Sequence, residues 1–232
     1  MIRILALVLA LAALPALGLP AAAQQLDRAI AAYDAGDYET AFRLMQPLAE
    51  AGDAMAQQRL GVMYYLGRGV EKDDERALLW SRRAAELGDV RAQNNLAYLL
   101  FWGEGTERDR PEAVRWYKQA AEAGDAPSAN TLGTLYRFGH GVPHNDAEAA
   151  KWFHMAAAAG HVEAQLYLGV MYERGEGVAK DRVRAQTLYI LAADAGDQEA
   201  AKNREFNARA LTDAQRAEAE RIAREWQARH RG

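Results

Sequence analysis

A chain of 232 residues, half of them apolar and 26% charged, can bury one core and is too short for three independent domains. A formal charge of −4 provides no excess of Lys and Arg to neutralise phosphates, so nucleic acid is not an expected partner. The absence of cysteine excludes a disulfide framework, a lipidated N-terminal cysteine and thiolate metal sites, leaving packing alone to stabilise the fold.

The N-terminus reads as a secretory signal peptide over residues 1–23. Arg3 supplies the positive start, Ile4 through Leu14 an apolar run, and Ala21-Ala22-Ala23 a small-residue site that places cleavage before Gln24. An uncleaved membrane anchor is the competing reading. Pro15 and Pro20 interrupt the run, however, and it falls short of the roughly 20 apolar residues a span requires. Nothing later in the chain is apolar enough to cross a bilayer, so no stable membrane span is expected after cleavage. The expected location is periplasmic or secreted, and the Ala- and Arg-rich composition points to a bacterial periplasm. Residues 24–52 follow as a degenerate helix pair, Ala29 to Ala35 and Tyr38 to Ala51, with Ala41 in phase with Ala77.

From there a period of 36 organises the chain. Gly52, Gly88, Gly124, Gly160 and Gly196 keep it without a slip, as do Leu60, Leu96, Leu132 and Leu168. Ala77, Ala113, Ala149 and Ala185 share the step, and Trp80, Trp116 and Trp152 follow it, with Leu188 in the fourth place. Ala56, Leu60, Gly61 and Tyr64 lie on one face of a helix over about 54 to 66. Gly67 and Gly69 break that helix, and a second begins after Asp73 or its counterparts Asp109, Asn145 and Asp181, all good N-caps. Glu112 and Glu148, three residues beyond their caps, predict capping boxes. Ala77, Trp80, Ala84 and Leu87 form the apolar face of this second helix, which Gly88 ends as C′ residue. The next residue, Asp53, Asp89, Asp125 or Asp197 with His161 as the exception, caps the following helix. Links this short force antiparallel packing. Gly61, Gly133 and Gly169 lie within helices, where glycine costs about 1 kcal/mol relative to alanine. A close helix contact, with the small residue seating an aromatic such as Trp80, is the expected compensation.

The pattern Ala…Leu-Gly…Tyr…Gly-x-Gly-Val…Asp…Ala…Trp…Ala-Ala…Gly resembles that of the Sel-one-like repeat family, a longer-period relative of the tetratricopeptide superfamily. It is nearly complete in residues 53–88, 125–160 and 161–196, while residues 89–124 depart at Ala97, Leu100 and Thr106. The resemblance covers about residues 27 to 200. It implies an all-α fold, an α/α solenoid in which antiparallel helix pairs form a right-handed superhelix with a concave face for a ligand. Four repeats over 53–196 would be followed by capping helices over 197–232. There Thr212 and Gln215 form a capping box that opens a helix over Asp213–His230, with Leu211, Ile222 and Trp226 over the last repeat.

No motif for chemistry stands out, and neither cofactor nor catalytic residue is expected. His140, His144, His154 and His161 crowd one unit, but they lie on different elements without the ligand spacing of a metal site. The Gly-x-Gly turns join helix to helix, so they carry no dinucleotide meaning. Some secreted, cysteine-rich members of the family are associated with penicillin-type compounds. That resemblance leaves a small-molecule binder or β-lactam-type hydrolase as the alternative, although this chain lacks those cysteines.

The positions of the first helix that change from copy to copy are the candidates for a binding face. They are Gln58, Val62 and Tyr65; Asn94, Tyr98 and Phe101; Asn130, Thr134 and Arg137; and Leu166, Val170 and Glu173. Beside them lie Arg59, Asn95, Thr131 and Tyr167, then Leu66, Trp102, Phe138 and Arg174. By superfamily resemblance the first helix lines the inner groove. Amides that pair with a peptide main chain and aromatics that give area at low entropy cost suit an extended protein or peptide partner. Packing of Trp102 and Phe138 between units is the alternative reading.

Overall fold

The computed structural model describes residues 19–230, all helical elements and connecting turns. The proposed leader lies largely outside the described residues; Leu19–Ala23 are the start of the first helix. In chain order the helices are α1 (Leu19–Asp34), α2 (Tyr38–Glu50), α3 (Ala54–Leu66), α4 (Asp74–Glu86), α5 (Val90–Trp102) and α6 (Arg110–Glu122). They continue as α7 (Ala126–Phe138), α8 (Asp146–Ala158), α9 (Val162–Arg174), α10 (Arg182–Asp194), α11 (Gln198–Ala208) and α12 (Asp213–His230). Thirteen-residue helices alternate with links of seven and three residues over the four full repeats, which together set the period. From α1 to α11 each helix packs on the next and the hairpins stack into a solenoid, while α12 packs on α10.

The three-residue link is fixed by two overlapping motifs. The Gly88 N–H donates to Ala85 O and the Asp89 N–H to Ala84 O, each at 3.0 Å, a Schellman closure of α4. The Asp89 carboxylate then accepts from Ala92 N at 2.8 Å and caps α5. One residue therefore ends one helix and begins the next. His161 fills this role with a ring nitrogen, Nδ1, at 3.4 Å from Ala164 N.

The seven-residue link explains the paired glycines. Gly67 caps α3 in the left-handed region. The second glycine of the turn touches the preceding repeat: a Cβ on Gly105 would overlap the carbonyl of Asp74, at the start of α4. Gly69 stands in the same relation to Tyr38, and Gly177 to Asp146. A seam that admits no side chain thus joins three of the four turns to the second helix one repeat back; at the remaining turn Gly141 faces the Arg110 side chain instead.

The expected capping boxes at Glu112 and Glu148 form only by half. The Asp109 and Asn145 side chains accept from the N–H of Glu112 and Glu148 at 2.9 and 3.1 Å. The reciprocal bond is missing because the Asp109 and Asn145 N–H groups already donate to Leu100 O and Tyr136 O. Glu112 turns instead to Arg82 of the previous repeat, at 2.6 Å, and to Trp116 Nε1. At the C-terminal end the box is complete: Thr212 N donates to Gln215 Oε1 and Gln215 N to Thr212 Oγ1. Leu211 is buried, and Trp226 packs against Ile190, Leu191, Ala219 and Ala223. That helix covers the apolar end of the last repeat.

Two further expectations need correction. Leu87, placed on the apolar face of α4, is 58% exposed because the helix is already turning into its Schellman closure. The aromatic seated on the helical glycines is not the tryptophan but the residue after it. A Cβ on Gly133 would stand 2.6 Å from the Phe153 ring, and one on Gly169 2.6 Å from Tyr189. One residue along a helix is about 100° around it, enough to move a side chain from one interface to another.

Candidate functional site

The variable face of the first helices carries two adjoining clefts. The first, of about 400 Å³, lies between α3, α4 and α5 and is lined by Gly61, Val62, Tyr65, Leu66, Ser81, Asn94, Asn95, Tyr98 and Leu99. The second, of about 330 Å³, is lined by Tyr98, Phe101, Trp102, Tyr117, Asn130, Thr131, Thr134, Leu135, His140 and Glu163. Tyr98 is common to both. The Tyr65 and Tyr98 rings meet edge to face at 6.0 Å, and Tyr98 continues to Trp102 at 6.4 Å. The neighbouring Tyr98 hydroxyl, burial and the Glu104 carboxylate together push the Tyr65 phenol above its ordinary range, so it stays neutral.

Helix phase sets which side chains are free. Trp102 and Phe138, each the last residue of its helix, are 51% and 52% exposed, whereas Phe101 is buried in the core. The exposure of Trp102 and Phe138 does not fit the alternative of packing between units. Asn94 and Asn130 serve the stacking instead. Asn94 Nδ2 donates to Ser128 Oγ at 2.6 Å and Asp125 Oδ2 at 3.2 Å, both in the next repeat, and Asn130 Nδ2 donates to Glu163 Oε2 at 2.8 Å. The Asn130 Oδ1 atom is buried and has no hydrogen-bond partner.

The other candidates are scattered. Gln58 is buried and lines neither cleft. The Arg59 guanidinium lies 5.0 Å over the Tyr33 ring. Thr131 and Thr134 turn their hydroxyls back to carbonyls of their own helix. Arg137 pairs with Glu176 at 3.0 Å, and Tyr167 packs on Phe153 at 5.3 Å. Residues outside the variable set also line the clefts, among them Ser81, Leu99 and Tyr117. The 36-residue alignment of α4, α6, α8 and α10 was the signal that could have found Ser81: Tyr117, Phe153 and Tyr189 hold its place elsewhere.

The histidines have separate surroundings. His144 Nε2 lies 3.2 Å from Asp146, His154 Nε2 is 2.8 Å from the Tyr172 hydroxyl, and His140 faces Phe138. Among the described residues no group of three or more metal-ligating side chains converges, and no helix is long and apolar enough to cross a membrane.

Stacked helix hairpins of one length, with paired-glycine turns and shared caps, define a helical-repeat scaffold protein. More narrowly, the Sel1 repeat model matches residues 32–53, 54–89, 90–125, 126–161 and 162–197, and the chain belongs to that family. Its repeat builds a scaffold typical of protein–protein interaction. A protective antigen of uropathogenic Escherichia coli displaying an SLR fold is 32% identical with a TM-score of 0.80; the match covers 90% of this chain and 45% of the antigen. This chain therefore spans less than half of that protein. A Sel1 repeat protein of Oxalobacter formigenes is 37% identical with a TM-score of 0.71, covering 75% of this chain and 72% of its own. A third, from Klebsiella pneumoniae, shares the fold at 21% identity and a TM-score of 0.53, covering 81% and 93%. None of the curated proteins matches the sequence.

Proposed function

We propose that this chain is a periplasmic or secreted scaffold that binds an extended segment of a protein partner along the face of its first helices, without catalysing a reaction. The observation that carries this reading is the pair of adjoining clefts sharing Tyr98, lined by the exposed Trp102, with the exposed Phe138 beside the lining residue His140. Contiguous apolar surface of this kind, rimmed by polar groups, marks interaction sites. First helices approach one another (α3 with α5, α7 with α9, α9 with α11) more closely than the second helices α4, α6, α8 and α10 of the four full repeats do. That difference favours curvature with the first helices inside, the geometry of a concave groove. The leader-like residues 1–23 support export.

The test selects a displayed library of short peptides against the purified protein and measures affinities for wild type, Tyr98→Ala and Trp102→Ala. Central aromatic anchors usually dominate such interfaces, so each folded variant should weaken binding about tenfold or more. Equal affinity for all three proteins would place the binding face elsewhere.

A further inference from the structure

The residue that follows the tryptophan position of each second helix faces the first helix of its own repeat. In the second, third and fourth repeats it is Tyr117, Phe153 or Tyr189, all buried. Phe153 lies on Gly133 and meets Tyr167; Tyr189 lies on Gly169 and donates its hydroxyl to Glu173 Oε2 at 2.9 Å. In the first repeat that residue is Ser81. The counterparts of the ring's neighbours are Gly61 for both glycines, Asn95 for Tyr167 and Tyr65 for Glu173. All three line the first cleft, with Ser81 among them. A cavity therefore stands where the other repeats hold an aromatic ring. The buried apolar core divides at the same place, into two clusters that meet at Leu78.

We infer that this cavity receives a phenylalanine side chain of the bound partner, which completes from outside the packing that an internal ring completes in the other repeats. The inference rests on the first-helix face being the binding face, and it adds which side chain the partner must present there. Val62, Leu66 and Leu99 offer the ring an apolar lining, and Tyr65 adds an aromatic wall. An apolar cavity of about 150 Å³ is enough to bind benzene, so a cleft of about 400 Å³ has room for the ring. Asn95 lines the same cleft and offers an amide to the main chain that carries the ring. Glu173, which accepts the Tyr189 hydroxyl, is replaced in the first repeat by Tyr65, and among the described residues no carboxylate lines the cleft, which favours phenylalanine over tyrosine.

The experiment uses the peptides selected against the full chain, each phenylalanine in them replaced in turn by alanine. It adds Ser81→Phe, which gives the first repeat its own ring. The inference requires that wild type selects phenylalanine at one fixed place. Its replacement by alanine should cost about tenfold or more in affinity, and Ser81→Phe should remove the preference. Amide NMR signals of Gly61, Ser81 and Leu99 should shift with the phenylalanine peptide and not with its alanine version. Should Ser81→Phe fail to fold, Val62→Trp narrows the same cleft from its rim. Equal binding of the phenylalanine and alanine peptides, or unchanged binding by a folded cavity-filling variant, overturns the inference. So does N-acetyl-phenylalaninamide binding as tightly as the peptide, which would make the cavity a small-molecule site. If Trp102→Ala weakens binding while Ser81→Phe does not, the face stands and the aromatic inference falls. Binding that no first-helix substitution alters removes both.

Discussion

Replacing Phe153 by alanine should lower stability by about 3–5 kcal/mol, the usual cost of deleting a fully buried phenylalanine. The ring is 0% exposed and seated on Gly133, so the cavity left behind has little chance to collapse. For a chain of this size each kcal/mol corresponds to roughly 2–4 °C, and Tm should fall by roughly 6–20 °C. The companion substitution at Gly133 sharpens the test through its sign. Alanine there gains about 1 kcal/mol of helix propensity, but its Cβ would stand 2.6 Å from Phe153 Cδ1. Overpacking costs about 1–3 kcal/mol, so Gly133→Ala alone should destabilise by about 1 kcal/mol. Once Phe153 is alanine the obstruction is gone, and the same change should stabilise by about 1 kcal/mol. Urea denaturation of the four proteins, followed by circular dichroism and tryptophan fluorescence, gives the double-mutant cycle. An identical effect of Gly133→Ala in both backgrounds would refute the assignment of the ring as the reason for the glycine.

Gly105→Ala should cost about 2 kcal/mol or more, because it combines a φ of 73° with overlap at the Asp74 carbonyl; thermal denaturation measures it, and a loss under 0.5 kcal/mol, roughly the scale of an ordinary surface change, would deny the seam its role. His161→Asp should stabilise by about 0.5–1 kcal/mol, since the carboxylate caps at the equivalent positions, Asp53, Asp89, Asp125 and Asp197, accept at 2.7–2.9 Å where the imidazole manages 3.4 Å; an unchanged Tm would show that the cap is already adequate. Hydrogen bonds from Arg82 and then Trp116 hold the Glu112 carboxyl below its ordinary value of 4.5, against the opposing effect of burial. A depressed carboxyl stabilises the fold fully above its unfolded value, and that gain is lost as pH falls through the folded one. Glu112→Gln should therefore be less stable than wild type at pH 7, by about 0.5–1 kcal/mol for this partly exposed pair, with the gap closing as pH drops below 4.5. A gap constant from pH 7 to pH 3 would mean that charge plays no part.

Much of this architecture is written in single residues that one period repeats. Asp89 and its counterparts can be read as caps because a short acidic side chain directly after a helix-ending glycine has few other uses. The clefts are harder to read. Asn94 and Asn130 vary between copies as ligand-contacting residues would, yet their amides hold Ser128, Asp125 and Glu163 across the repeat boundary. A pattern along one helix gives the face a residue occupies, not whether the next hairpin reaches over to meet it. Trp80 and Ser81 show the same limit. The conspicuous tryptophan drew the glycine contact to itself, while the unremarked serine beside it determines where the core opens.

The glycine seam has a bearing on how such chains change length. Since Gly69, Gly105 and Gly177 meet main-chain atoms, these three joints are blind to side-chain identity on their far side, whereas Gly141 faces the Arg110 side chain. A duplicated or deleted hairpin would find the same main-chain mating surface at such a joint, so gene-level copying can lengthen the array while each copy drifts in what it displays.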